Sequence, residues 1–493
     1  MNIVFFNSHT LLASHYETEL ELMSEHLIKR DNIVQLTCDK ELPACDTNPY
    51  HMQEACERCV SKRKHGLSLL SDSNIKRLSF FKLTEDDKRI ISKIPKKFSS
   101  INELQQLKYG NFDLGYAVAS SIISLLRDPN PSLDDQLTER FIVSSLGVYF
   151  SIINYIKENP TDIMYVFNGR VSVSKAALSA CQFMGTTCVL HERGNSIKHY
   201  SLFKNSSILD LNNTQDLIVS KWNSSDPNER EQKASAWFNT RIGGKMENWY
   251  SFLADQIFQL PENWDETKEN ILICNSSEDE MASLGDEWKN PLYLSQSEGI
   301  LRIIEDSILN TNIHFYLRIH PNLVSVSNSD IVFLKKLERP NLTVIQPDSK
   351  LSTYHLINAC SKTITFGSTA GIEATFMGKP SILAGKSLYC NLGGNYIPSS
   401  HEELLKLLNT SLTPMPKDAA LMFGFFFSTF GIPFKHYDAE DFGKGKFKGS
   451  YVSPNLGFKY KFIKLLFHNT LLPILSEKIS LKSREDVMKK YLL

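Results

Sequence analysis

No stretch of this chain approaches the ~18–20 consecutive apolar residues that a membrane-spanning helix needs. The longest aromatic-rich run, Leu421 to Phe434, is too short and contains Gly and Pro. The N-terminus lacks the basic region of a signal peptide, and Asn7, Ser8 and His9 interrupt its apolar run. A cytoplasmic location is the resulting expectation. Excess charge is missing too: the 493 residues carry a formal net charge of −1. Nucleic-acid binders need a basic footprint, so no nucleic-acid partner is expected. There is no internal repeat and no low-complexity tract. What is present is an ordinary globular composition, 42% hydrophobic and 22% charged. The length suits two or three domains whose cores need no disulfide staples. The nine cysteines therefore read as thiols or metal ligands.

Hydrophobic periodicity divides the chain. Asn2–Phe6 and Ile33–Leu36 read as strands around a helix from about Ser14 to Lys29. Residues 38–70 read as a polar, Cys-rich insertion. Leu114 to Lys157 has a long helical pattern. Ile163–Phe167 and Thr187–Leu190 read as buried strands around a helix at Ser174–Met184, and Leu217–Ser220 as a further strand. The polar stretch Pro261–Asn270 reads as a linker. Beyond it, Ile271–Cys274, His314–Ile319, Leu342–Ile345, Thr363–Phe366 and Ser381–Ala384 read as strands separated by helices. Such alternation indicates parallel sheets covered by helices. The expected class is α/β, with two Rossmann-like domains facing a cleft: residues 1–260, a linker at 261–270, then residues 271–400. Residues 401–493 form a helical extension. From Lys435 to the end, twelve Lys and Arg face six Asp and Glu. Leu456–Leu475 mixes basic and apolar side chains. That segment suits peripheral contact with an anionic membrane surface, or a helix that crosses back to brace the first domain.

Two motifs of the second domain carry chemistry. Gly367, Ser368, Thr369, Ala370 and Gly371 form a small loop between strand Thr363–Phe366 and a helix. Ligands of open α/β sheets sit at the carboxyl ends of strands, and a helix start favours an anion. Ser368 and Thr369 add hydroxyl donors, and Glu373 lies one turn in, within reach of a ribose hydroxyl. Gly378, Lys379 and Pro380 stop the helix. The second motif is Arg318, Ile319, His320 and Pro321 at the end of another strand. Proline fixes the backbone there, so His320 is aimed from the sheet edge to donate to a phosphate oxygen or protonate a leaving group. Asn275–Glu280, after the first strand of this domain, reads either as a ligand contact or as a solvated acidic loop.

The order of strand, His-Pro, strand, Ser/Thr-rich loop, Gly-Ile-Glu-Ala and Gly-Lys-Pro resembles the C-terminal domain of GT-B glycosyltransferases. It is most similar to bacterial capsule polysaccharide biosynthesis proteins, themselves similar to Kdo-transferase and sialyltransferase type enzymes. There a His-Pro motif and a Ser/Thr motif hold the phosphate of a CMP-sugar. UDP-GlcNAc 2-epimerases have a comparable loop followed by consecutive acids, whereas here only Glu373 is present. The resemblance covers about Ile271 to Leu388 well and the rest loosely. It implies a nucleotide-sugar donor, CMP-sugar ahead of UDP-sugar, a glycan or lipid-linked acceptor, and chemistry without a catalytic metal. Arg318, His320, Gly367, Ser368, Thr369, Ala370, Gly371 and Glu373 would hold the nucleotide. A sugar-nucleotide epimerase or hydrolase on the same fold, or a non-catalytic scaffold, are the alternatives.

The first domain offers its own strand-end groups. Asn168, Gly169 and Arg170 follow one strand, and His191, Glu192, Arg193 and Gly194 follow its expected neighbour. On the cleft edge that the resemblance implies, Glu192 is the candidate carboxylate that deprotonates an acceptor hydroxyl. Asp39 and Glu17 are its rivals. Asn168, Arg170, His191 and Arg193 would contact the acceptor or the sugar, the arginines pairing with a carboxylate or phosphate. Cys38, Cys45, Cys56 and Cys59 lie in one irregular stretch with a single CxxC. Four thiolates suit a structural zinc ion, ahead of an iron–sulfur cluster, with His51 and His65 as substitute ligands. Free thiols, or a redox pair at Cys56 and Cys59, are the other readings.

Overall fold

The strands form where short apolar runs can be buried on both faces, which is how strands of parallel sheets read. This computed structural model describes residues 1–70, 75–244, 256–454 and 472–492. They divide into two compact units.

Unit 1 comprises Met1–Leu126, Asn130–Ser207 and Gly431–Leu493. Its strands begin with β1 (Asn2–Asn7), β2 (Asn32–Thr37), β3 (Ile75–Ser79), β4 (Ile163–Phe167), β5 (Thr187–Arg193) and β6 (His199–Lys204). They lie in the order β6-β5-β4-β1-β2-β3. The five strands from β5 to β3 are parallel, and β6 folds back antiparallel on β5. Residues 38–70 are not an insertion. They hold the helix Gln53–Ser68, which precedes β3 in a crossover between parallel strands. The long helical pattern is two helices, Leu114–Leu126 and Asp135–Glu158.

Unit 2 comprises Arg127–Pro129 and Ile208–Phe430. Its strands are β7 (Glu269–Cys274), β8 (Ile313–Arg318), β9 (Leu342–Ile345), β10 (Lys362–Thr365) and β11 (Ser381–Leu383). They are all parallel, in the order β11-β10-β7-β8-β9. Leu217–Ser220 is not a strand: it lies within the helix Leu211–Asn223. Here Leu211, Thr214, Ile218 and Trp222 are buried, at helical spacing. This helix and Pro227–Ile242 belong to unit 2 rather than to a first domain ending at residue 260. Their Ile218 and Phe238 share a core with Phe423 and Phe426 of the helix Asp418–Thr429, which accounts for the aromatic-rich run.

The chain then returns to unit 1. There β12 (Ile432–Pro433) pairs antiparallel with the edge of β6. A small antiparallel sheet follows, of β13 (Tyr437–Ala439), β14 (Gly445–Phe447) and β15 (Ser450–Tyr451). The last helix, Leu472–Tyr491, braces this unit. Tyr491 is fully buried and donates to the Glu41 carbonyl at 2.8 Å, and Ser483 lies 3.1 Å from His51 Nε2. Most of the Leu456–Leu475 stretch lies outside the described residues. No described helix is long and apolar enough to cross a membrane.

Candidate functional site

Both sheets reverse their winding direction beside their first strand. In unit 2 the chain starts at β7, runs outward through β8 and β9, then returns to β10 on the other side. Ligands of such sheets bind outside the carboxyl ends of the strands at that reversal. Here the reversal is flanked by the loop after β7, with Asn275 and Ser276, and the loop Gly367–Gly371 after β10. Gly367 has φ 123°, and a Cβ on it would lie 2.6 Å from the Lys386 carbonyl oxygen. At Gly371 a Cβ would meet the Thr365 and Tyr389 oxygens at 2.6 Å. Glycine is thus required at both ends of the loop. Between them Thr369 is exposed and Ser368 partly so. Buried Ala370 opens a helix of seven residues, Ala370–Phe376.

His320 stands two strands away, past the end of β8. Its backbone N–H donates to Asn275 Oδ1 at 2.8 Å, tying the His-Pro turn to the loop after β7. Ser276 Oγ in turn reaches the Phe366 carbonyl at 3.5 Å. The three loops therefore follow one another along the sheet edge, at strand spacings of about 5 Å each. His320 Nδ1 accepts the Asn322 backbone N–H at 3.2 Å. The proton of its neutral ring accordingly sits on Nε2. Burial, reinforced by Arg318 and Arg127, holds this imidazole down at about 4. His320 is therefore neutral at neutral pH, with an N–H to donate.

Two predicted residues face elsewhere. Arg318 is buried, and its guanidinium donates to the Gln346 and Ser349 carbonyls at 2.5 and 2.9 Å, fastening the turn after β9. Glu373 does not open towards a ribose. It is buried, accepts from Arg241 Nε at 2.8 Å and receives the Tyr354 hydroxyl at 3.1 Å.

In unit 1 the reversal lies between β1 and β4, at the loops carrying His9 and Asn168. Glu192, at the end of β5, is a fifth exposed. Its Oε2 accepts from Asn168 Nδ2 at 2.6 Å, and its Oε1 from the Arg193 backbone N–H at 2.9 Å. His15 Nε2 lies 3.7 Å from Oε1. Burial, with Arg193 the next cause, pulls the His15 imidazole well below its usual range, so it is neutral. His191 is fully buried, its Nε2 at 3.8 Å from Glu19 Oε1. The two arginines expected at a substrate anion are engaged within the protein. Arg170 donates to Ser120 Oγ at 2.9 Å and to Ser124 Oγ. Arg193 donates to Ser14 Oγ and to the Ala13 and Phe442 carbonyls at 3.3–3.4 Å. Of the rival acids, Glu17 pairs with Lys62 at 2.8 Å, and Asp39 with Arg63.

His9, His15 and Glu19 were missed by the sequence reading. They come from a loop and a helix that reach this edge only because β1 pairs with β4, Ile3 opposite Ile163. The available signal was His9 itself, which follows β1 as Asn168 follows β4. Two strained residues mark the same place: Ser14 and Asn168 have φ of 60° and 57°.

The four cysteines lie in and before the helix Gln53–Ser68. Cys56 Sγ accepts from Asn48 Nδ2 at 3.2 Å, and Cys45 Sγ lies 3.4 Å from Thr47 Oγ1. Burial, first of all, pushes the Cys38 thiol up to about 12 and the Cys56 thiol to about 11. Among the described residues no three or more His, Cys, Asp or Glu side chains are grouped so as to hold a metal ion. As placed, then, the thiols do not form a tetrahedral site.

No family model matches this sequence, and no curated protein matches it. Among solved structures it is similar to the β-Kdo 2,4 transferase of KpsC from Thermosulfurimonas dismutans. That match has 14% identity over 54% of this chain and 79% of that one, with a TM-score of 0.38. The β-Kdo 2,7 transferase of the same KpsC is 13% identical over 64% and 88%, with a TM-score of 0.35. A UDP-GlcNAc 2-epimerase from Neisseria meningitidis, bound to UDP-GlcNAc, is 11% identical over 86% and 97%, with a TM-score of 0.29. Likeness at these values says nothing of activity, and the α/β assignment rests on the two parallel sheets themselves.

Proposed function

We propose that this chain is a GT-B glycosyltransferase of bacterial surface polysaccharide assembly. It would move a sugar from a nucleotide-sugar, CMP-sugar ahead of UDP-sugar, to a glycan or glycolipid. One observation carries the reading: a neutral His320 N–H donor and the glycine-bounded loop Gly367–Gly371 flank the winding reversal of unit 2. In this reading unit 2 binds the donor. The loop hydroxyls and His320 Nε2–H donate to the phosphate, whose negative charge grows as the sugar leaves. Unit 1 binds the acceptor, and Glu192, held ready by Asn168, takes the proton of the attacking hydroxyl. No step needs a catalytic metal. A structural zinc at Cys38, Cys45, Cys56 and Cys59 would require these side chains to turn towards one point. Metal analysis reading about one equivalent per chain tests that.

The donor reading is tested by thermal stabilisation with CMP, UDP and GDP. A nucleotide at about 100 times its dissociation constant should add about 2.7 kcal/mol, and His320→Ala should remove most of the gain. No stabilisation by any of the three at millimolar levels overturns it and favours a scaffold. Product analysis with and without acceptor separates transfer from epimerisation or hydrolysis.

A further inference from the structure

Five lysine and arginine side chains are buried among the described residues: Lys62, Arg63, Arg140, Arg318 and Lys362. Four of them have an acceptor. Lys62 pairs with Glu17, Arg63 with Asp39 and Lys362 with Glu269, and Arg318 donates to the Gln346 and Ser349 carbonyls. Arg140, 5% exposed on the helix Asp135–Glu158, is the exception. Its Nε is enclosed without a hydrogen-bond partner, and no described carboxylate lies within ion-pair distance of it. The Nε of Arg484, on the last helix, is enclosed and partnerless in the same way. A guanidinium does not shed its proton in a protein, so a buried one needs a countercharge.

Packing brings the two arginines together. Tyr491 lies against Gly147, where a Cβ would meet its ring at 2.0 Å. Two helical turns earlier on each helix stand Arg484 and Arg140. Burial, and after it the Arg484 charge, holds the Arg140 guanidinium below its ordinary range. The charges around the pair do not compensate it. Asp134 and Glu139 act on Arg140 less than Arg484 does, and Asp134 is engaged by the Gln136 and Leu137 N–H groups at 2.8 and 3.1 Å. On the last helix Glu477 and Glu485 are exposed, and Asp486 faces Lys489 at 3.8 Å. Lys40 is paired with Glu57. His51 Nε2 lies 3.1 Å from Ser483 Oγ, and burial, followed by the two arginines, lowers this imidazole. It adds no negative charge in either state.

The pair is open to solvent on one side. Nε of each guanidinium is among the enclosed atoms, and the terminal nitrogens are not. Arg484 is partly exposed, and Tyr50, whose hydroxyl acts on Arg140, is 43% exposed. A small anion can reach both forks from the surface without a cavity in the core. Two planar forks on two helices call for two negative charges and for oxygens in more than one plane. A phosphate group supplies both, whereas a carboxylate offers one charge and one edge. We infer that Arg140 and Arg484 bind a phosphate group, free or on a lipid headgroup, which ties the last helix to the helix Asp135–Glu158. The site is independent of the transferase reading. Exposed Lys478, Ile479, Leu481 and Lys482 on the last helix suit the lipid source.

Calorimetric titration of the full chain with inorganic phosphate, in chloride buffer of matched ionic strength, tests this. Heat is read rather than melting, because phosphate also stabilises proteins by exclusion from their surface. Phosphate should bind about tenfold or more tightly than formate, a planar monoanion. Arg140→Met should weaken phosphate about tenfold or more. Because it removes a repulsion, it should not lower the melting temperature in phosphate-free buffer. Should that variant fail to fold, Arg484→Gln, at the partly exposed member of the pair, should show the same loss of phosphate. Phosphatidylcholine vesicles with and without phosphatidic acid identify the carrier. Capture that needs phosphatidic acid and is abolished by Arg140→Met assigns a lipid phosphate, and phosphate binding without such capture assigns a soluble one. Formate binding as tightly as phosphate overturns the inference. So does a phosphate titration that both arginine variants leave unchanged, and so does the absence of both phosphate binding at high millimolar levels and vesicle capture.

Discussion

The two winding reversals share a topology and differ in chemistry. In each sheet the first strand is central, its next two partners lie on one side, and the chain then crosses to the other. Unit 2 sets a small loop and one neutral histidine at its reversal, and its expected charges, Arg318 and Glu373, are tied up inside the protein. Unit 1 sets three histidines at its own, each facing a carboxylate, of Asp46, Glu192 or Glu19. Fold alone therefore does not say what a crevice binds. Neutral donors in a compact loop suit a phosphate.

The largest effect that would break the comparison is catalytic. Glu192→Gln keeps an acceptor for the Asn168 amide and removes the base. It should lower transfer by about 10²–10⁴-fold and leave nucleotide stabilisation intact. Loss of nucleotide binding in this variant would mean that the two reversals do not divide the work as drawn. Next is Arg241→Ala, which strands the buried Glu373 carboxylate in unit 2. It should cost about 3–5 kcal/mol in urea melts. A loss under 1 kcal/mol would show that Glu373 is not stranded without Arg241 and can turn towards a ligand after all.

These two variants also mark what the sequence could and could not disclose. Ile163–Phe167 was legible because a strand buried on both faces is apolar throughout. Leu217–Ser220 was misread because a short apolar run with two β-branched residues looks the same in a strand and on a buried helix face. The missing cue was spacing over a longer window, from Leu211 to Trp222. Glu192 was found because a strand-end position needs only its own strand. The inward turn of Glu373 was not, because its partner Arg241 lies 132 residues away, and no local pattern reports that distance. His15 and Glu19 escaped for a like reason. They share a helix whose residues are buried nearly all round, so no polar face set them apart.

Acidity sharpens the contrast within unit 2. His320 is neutral in the folded protein and held at about 4. As pH falls from 6.5 towards 4, the unfolded chain takes up a proton that the folded one refuses, and stability drops by up to about 3 kcal/mol. Glu278 behaves oppositely: burial raises it to about 7, against the opposing hydrogen bond from the Gln296 backbone. As pH rises from 4.5 to 7 the unfolded chain ionises first, and stability again drops by up to about 3 kcal/mol. Between about 4.5 and 6.5 the two nearly cancel. Glu278→Gln should therefore stabilise unit 2 at pH 8 but not at pH 4, exposing the rise due to His320. Urea melts of the variant that track the parent at both pH values would count against the buried acid.

The smallest effect tests the loop itself. Gly367→Ala places a methyl group at a left-handed φ and against the Lys386 carbonyl, at a cost of about 1–3 kcal/mol. If the loop cradles phosphate, the backbone must shift to relieve that contact, and nucleotide affinity should fall more than global stability does. The matched change at the other reversal is Gly169→Ala, where φ is 76° and a Cβ would meet the Leu190 side chain at 2.5 Å. It should cost similar stability and leave nucleotide affinity alone. Equal losses of affinity in both variants would mean that glycine at these edges serves folding only. The phosphate would then have to be held by His320 without the loop.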